Sequence, residues 1–326
     1  MPTKIDASAP LLILVNARGD YLLNLPAVRA AATLLEGRLS VAVRSGVSDV
    51  FYRDLPVWRF LEIDLDFSSS DLNQRFNADK LAQRVGNCDL LLSLNPWHAT
   101  PTRRLLEVLR PRWSIGYHPD FDDAIDLDFT KHNTDLGFDL VHRLDPSLRV
   151  EDFAAPPVLD PEAVTWIDGL LSRLPEGHRL VVLHGETKAN KSWPSERFVR
   201  VLDYLLERLP DAWVIDLAYD RAPHDHGAQG ARVIPAAGLP MRYALAVVAR
   251  SQLFLGIDSC FLHAADLFRI PGVALFGPTD PHEFGFRFAR CRHLKAPTMQ
   301  EIEVEPVILA IEEILDELDR GGLARF

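Results

Sequence analysis

Asp20, Lys191, Asp258 and Ser259 stand where their side chains have chemistry to do. Asp258 and Ser259 follow an apolar run, residues 253–257, that reads as a short strand, and both types favour capping a helix starting at Cys260 or Phe261. A second apolar strand, 273–276, ends in the turn Gly277-Pro278-Thr279-Asp280-Pro281. In open α/β sheets ligands bind at the carboxyl ends of strands, where helix N-termini offer N–H groups to anions. Two such ends in series point to a nucleotide-diphosphate site. Lys191 lies just before Trp193-Pro194, and proline favours the first position of a helix, so ammonium and helix dipole act on the same anion. Thr187 offers a hydroxyl to the same phosphates, and Lys188 competes with Lys191. A carboxylate repels phosphate, so Asp258 suits neutral hydroxyls or the helix cap better. Asp20 follows a strand and Gly19, which sets it at a sheet's carboxyl edge, facing any ligand bound there, or lets it cap the next helix.

Those residues need elements to hold them. Residues 11–16, 39–43, 90–94 and 113–117 read as strands, and 21–36, 78–86 and 102–109 as helices, with Pro26 kinking the first helix or sitting in its first turn. Continuous apolar strands alternating with helices predict a parallel sheet covered on both faces. Residues 118–128, rich in Asp and without a period, read as loop, and 150–157 as a linker. The rhythm then restarts: helix 161–174, strand 180–183, helix 194–209, strand 213–217, helix 241–249, the segment 253–285, and an amphipathic helix 304–318. The expected domains are 1–154 and 155–326.

Three ordered motifs carry a resemblance. They are Arg18-Gly19-Asp20-Tyr21-Leu22-Leu23-Asn24-Leu25-Pro26; His184-Gly185-Glu186-Thr187 with Lys191-Ser192-Trp193-Pro194; and Gly256-Ile257-Asp258-Ser259 with His263, Pro271 and Leu275-Phe276-Gly277-Pro278-Thr279-Asp280-Pro281. Together they resemble glycosyltransferase family 9, the heptosyltransferases that move heptose from ADP-heptose onto lipopolysaccharide core sugars. The resemblance implies an α/β GT-B fold, two Rossmann-like domains facing across a cleft, the first binding the acceptor and the second the nucleotide sugar. It implies an inverting displacement without metal or cofactor, with Asp20 as general base. Donor binding then falls to Thr187, Lys191, Met241, Asp258, Ser259, Cys260, His263, Thr279 and Asp280, with the adenine pocket in loop 236–242. His263 reads equally as a core histidine, and Trp193 as an anchor for its loop. Cys260 stands where the family usually carries Gly, and Asp266 where it has a small apolar residue, adding negative charge near the site.

Composition sets the bounds. With 326 residues the chain exceeds the size of a single core, so two domains are expected. A net charge of −11 opposes nonspecific nucleic-acid binding. Three scattered cysteines argue against a disulfide framework, and no leader pattern or bilayer-length apolar run is seen; the expectation is a cytoplasmic protein without a transmembrane segment. Cys260, His263, Cys291 and His293 have the types of zinc ligands, but the motif accounts better for the first two; Cys260 as a nucleophile rests on its helix N-terminus alone. His224-Asp225-His226 reads as solvated loop. Around Arg44, Arg53 and Arg59 lie Asp49, Asp54, Glu62, Asp64 and Asp66, so the acceptor need not be anionic: carbohydrate, protein and small molecule all stay open. The alternatives are a noncatalytic GT-B protein binding nucleotide or a partner, a transferase using another nucleotide sugar, and an epimerase of the same architecture. No Gly-x-Gly-x-x-Gly opens either half, which disfavours a dehydrogenase.

Overall fold

A computed structural model describes residues 6–65, 76–96, 100–218 and 227–320. His224-Asp225-His226 lies outside the described residues. The chain divides into two compact units, Met1–Val158 and Leu159–Phe326.

In the first unit β1 (Pro10–Leu14) leads into α1 (Arg18–Leu23), α2 (Leu25–Leu34), β2 (Ser40–Arg44), α3 (Ser48–Phe51), β3 (Arg59–Ile63), α4 (Ala78–Val85), β4 (Leu90–Ser93), α5 (Thr100–Leu109), β5 (Trp113–Gly116), β6 (Asp123–Ala124) and α6 (Asn133–His142). The strands form one sheet in the order β3-β2-β1-β4-β5-β6, every neighbouring pair parallel. Leu11, Ile13, Ala42, Leu61 and Leu91 share a core with Leu81, Ala82 and Val85 of α4 and Leu105 of α5. Both faces being covered, β1 and β4 are buried along their whole length, as continuous apolar strands require.

The expected helix 21–36 is two helices. The chain breaks at Asn24, which ends α1 and begins α2, and Pro26 sits in the first turn of α2. Asn24 is buried, its amide donates to Asp20 O at 2.9 Å, and a Cβ on Gly137 of α6 would come 2.0 Å from its Oδ1. The break is therefore packed, not frayed.

The second unit repeats the plan with α7 (Pro161–Leu171), β7 (Arg179–His184), α8 (Ser195–Arg208), β8 (Ala212–Ala218), β9 (Val233–Ala237), α9 (Met241–Arg250), β10 (Leu253–Ile257), α10 (Cys260–Leu267), β11 (Gly272–Phe276), α11 (Pro281–Phe284), β12 (Cys291–Lys295) and α12 (Val304–Arg320). Its parallel sheet runs β12-β11-β10-β7-β8-β9. Leu205 of α8 and Ile311 and Ile314 of α12 pack with Leu183, Leu255 and Val273 on one face. Both units have the doubly wound strand order, which reverses between β1 and β4 in the first and between β7 and β10 in the second. The crevice at such a reversal is where these sheets bind ligands.

Candidate functional site

The loops after β7 and β10 are neighbours because the strands are: Gly256 pairs with His184. A Cβ on Gly256 would approach His184 O to 2.6 Å, so glycine keeps the two backbones this close. His184 is fully buried, its Nδ1 lies 2.9 Å from Leu217 O, and its ring meets Phe261 edge-on at 4.7 Å between centroids. One side chain thus ties β7, β8 and α10 together directly under the reversal. The sequence contains His184 within a motif, but only the pairing of strands reveals this bracket.

Lys191 and Asp258 meet across the reversal. The ammonium donates to Asp258 Oδ2 in an ion pair; Asp258 is 7% exposed and Lys191 22%. His263, also buried, brings Nε2 to 3.8 Å from Asp258 Oδ1. Asp258 therefore does not cap α10. Ser259 occupies the N-cap position in an extended conformation but makes no side-chain cap bond either. Its buried Oγ has no hydrogen-bond partner among the described residues. Lysine, hydroxyl and the uncapped N-terminus of α10 are the constituents of an anion site. Cys260 opens α10 without the left-handed φ that would demand glycine, so backbone strain does not separate it from the family pattern.

The other expected donor residues line the same edge. Thr187, half-buried in the loop after β7, accepts through Oγ1 from Lys188 N. Trp193 anchors that loop: it is buried, Nε1 donates to Ile302 O at 2.9 Å, and its ring meets Phe198 edge-on. After β11, Thr279 has a buried Oγ1 with no partner among the described residues, while Asp280 caps α11 by accepting from His282 N at 2.8 Å. Met241, half-buried, heads α9 beyond the outermost strand β9. The structure brings Lys191, Asp258 and His263 together; Met241, Thr187, Thr279 and Asp280 share only the edge. Asp266 is different. It is buried near the far end of α10, where Oδ1 accepts from Phe288 N and Ala289 N at 2.7 and 2.8 Å, so its charge fastens a loop and does not face the ligand edge.

In the first unit Asp20 lies in the first turn of α1, and Oδ2 accepts from Ala17 N at 3.0 Å. This caps the helix, one of the two roles read from the sequence. Val15 N donates to Asn95 Oδ1 at 2.8 Å, joining the ends of β1 and β4. The Tyr21 hydroxyl accepts from Asn16 N and Arg44 N, and burial pushes its phenol up. Asp20 thus sits on a pinned turn at the carboxyl edge. The sequence holds Tyr21 within a motif and Asn95 at the end of a strand, but these contacts are read from neither.

Among the described residues no three His, Cys, Asp or Glu groups gather as metal ligands do. His293 Nε2 accepts from Phe286 N at 3.0 Å. Burial pushes the Cys291 thiol up to about 11. No helix among the described residues is long and apolar enough to cross a membrane.

Residues 161–304 match glycosyltransferase family 9 (heptosyltransferase). Lipopolysaccharide heptosyltransferase 3 of Escherichia coli K12 is 28% identical over 166 residues, 43% of this chain and 47% of that protein; the chain thus spans about half the length of this curated relative. The glycosyltransferase family 9 structure from Veillonella parvula superposes with a TM-score of 0.76 at 18% identity, covering 95% of this chain and 99% of that one. The E. coli heptosyltransferase WaaC with ADP gives 0.66 at 17% identity over 93% of this chain and 99% of that one. The architecture is therefore the GT-B glycosyltransferase fold. Within it, the match to glycosyltransferase family 9 falls in the second unit.

Proposed function

We propose that the chain is an inverting glycosyltransferase that takes a sugar from a nucleotide diphosphate, ADP-heptose first among the donors, and passes it to an acceptor hydroxyl. The observation that carries this reading is the meeting of Lys191 and Asp258 beside the N-terminus of α10, at the strand-order reversal. An ADP-sugar set on that edge gives its diphosphate to Lys191, the Ser259 hydroxyl, Thr187 and the first turn of α10, with Cys260 at its head. Positive charge from the ammonium and the helix end stabilises the departing diphosphate, so the reaction needs no metal. Asp258, relieved of Lys191, accepts from the sugar hydroxyls, with His263 behind it. Thr279 and Asp280 close one side and Met241 meets the adenine. The relatives support the donor by name: a lipopolysaccharide heptosyltransferase and a heptosyltransferase holding ADP.

Asp20 removes the proton from the acceptor hydroxyl, whose oxygen attacks the anomeric carbon opposite the leaving diphosphate and inverts it. The first unit is the acceptor domain, and carbohydrate, protein or small molecule can supply the hydroxyl. The reaction belongs in the reducing cytoplasm, which agrees with Cys88, Cys260 and Cys291 forming no disulfide.

Asp20→Asn tests the scheme, since an amide oxygen still accepts from Ala17 N. ADP-heptose should bind as in wild type by calorimetry, while transfer to lipopolysaccharide core falls about 10²–10⁴-fold. Near-normal turnover removes Asp20 as base, and tighter binding of UDP or GDP than of ADP replaces the donor.

A further inference from the structure

The first unit has a cavity of about 360 Å³ at the amino edge of its sheet, the edge opposite Asp20. Ser8, Ser40, Trp58, Val85, Asn87 and Arg38 line it. They come from the leads into β1, β2 and β3, the first residue of β2, and the end of α4 with the turn after it. We infer that this cavity is a second carbohydrate site, holding one neutral sugar ring against Trp58.

Its electrostatics select a neutral ligand. Two helices end at its walls: α2 turns through Glu36 and Gly37 at φ of 51° and 75°, and α4 through Gly86 at 75°. Helix C-termini carry the negative end of the dipole and disfavour an anion. The guanidinium groups there answer those ends. Arg38 donates to Leu35 O at 3.1 Å and Ala7 O at 2.5 Å, and Arg59 to Val85 O at 2.7 Å. No carboxylate is among the lining residues, and Asp89 beside Ser8 is engaged by the N–H groups of Ser8 and Ala9 and the Ser8 hydroxyl.

The shape of the polar and apolar groups selects a sugar. Trp58 is 65% exposed, the largest apolar surface this unit leaves to water at the cavity, and the Arg59 guanidinium stacks 4.3 Å from the ring centroid. A tryptophan left so exposed at the wall of a cavity offers a flat apolar platform. Around it stand small neutral groups that both donate and accept. The Ser8 hydroxyl donates to Asp89 at 2.8 Å and presents lone pairs, Ser40 Oγ accepts from Arg59 at 3.3 Å and retains a proton to donate, and Asn87 supplies an amide. A pyranose has this complement: C–H groups on one face and hydroxyls around its rim. The choice of a sugar over another neutral ring, such as a nucleobase, rests on the proposed glycosyltransferase reading. The volume suits one ring, at the lower end of ligand pockets.

Saturation-transfer NMR on the full chain with methyl α-D-mannopyranoside, methyl α-D-glucopyranoside and adenosine tests this. The ring C–H protons of at least one glycoside should receive saturation, with affinity falling about tenfold in Trp58→Ala and less in Trp58→Phe. Saturating ADP should leave the signal unchanged. The inference is overturned if neither glycoside responds, if Trp58→Ala binds as wild type, if ADP abolishes the signal, or if adenosine alone depends on Trp58. ADP binding without a glycoside signal overturns this site alone; a Trp58-dependent glycoside signal without ADP binding leaves it standing and removes the donor reading.

Discussion

Lys191 is held by Asp258, the carboxylate that a diphosphate in the proposed site would have to displace. The proposed site therefore contains a built-in competition, and Asp258→Asn should expose it. Removing one negative charge a few ångströms from the phosphates and freeing the ammonium should tighten ADP by about 1 kcal/mol, roughly fivefold, by calorimetry. A weaker ADP complex would mean instead that Asp258 positions Lys191 for the ligand. Trp193 belongs to the same loop but acts from beneath. Trp193→Phe loses the bond to Ile302 O and should cost about 1 kcal/mol in denaturant unfolding while chiefly loosening the loop. Unchanged stability would show that the indole N–H contributes nothing.

The elements that bear the site are the inner strands. Gly256 allows β10 to lie against the His184 carbonyl, and Gly256→Ala should force the pair apart at a cost of about 1–3 kcal/mol, with ADP affinity falling alongside thermal stability. Stability without loss would contradict the close approach. Reading the elements from sequence worked where physics makes the signal strong. The inner strands β1, β2, β4 and β5, and β7, β8, β10 and β11, were legible because strands buried on both faces must be continuously apolar. The four strands passed over, β3, β6, β9 and β12, are the outermost strands of the two sheets. β12 reads Cys-Arg-His-Leu-Lys and stays half-buried, β9 contains Pro235, and β6 is two residues within the stretch taken as loop. α6 escaped because Gly137 interrupts it, yet that glycine is what admits Asn24. In the site itself, Lys191 and Asp258 were each legible, but their ion pair follows from strand order, which no single segment carries.

At the scale of the molecule, the chain between the units is fastened up to its boundary. Arg29 of α2 donates to Phe153 O at 2.8 Å, Ala155 O at 2.7 Å and Pro156 O at 3.3 Å, and pairs with Asp54. On the far side Asp160 caps α7 by accepting from Glu162 N and Ala163 N. Arg29→Ala should release the strap, and limited proteolysis should nick residues 153–158 about tenfold faster or more; an unchanged nicking rate would mean the strap is held by packing alone. A second, pH-dependent tie closes the first unit. Burial pushes the Asp89 carboxyl up, but the N–H groups of Ser8 and Ala9 and the Ser8 hydroxyl outweigh it and hold the carboxyl below its ordinary 3.8. A depressed folded pKa stabilises above the unfolded value and loses that contribution as pH falls through the folded one. Asp89→Asn should thus lower the unfolding free energy at neutral pH by about 1 kcal/mol after screening, read by denaturant unfolding, and the gap from wild type should narrow below pH of about 4. A gap constant with pH would assign the effect to packing.

The central claim is that the edge formed by β7 and β10 binds a nucleotide diphosphate through Lys191. Calorimetric titration of ADP into the EDTA-treated chain and into Lys191→Ala tests it most directly. The account predicts micromolar binding to the wild-type chain and a loss of about ten- to a hundredfold in the variant. Equal affinity in both, or no binding to the wild-type chain, contradicts it.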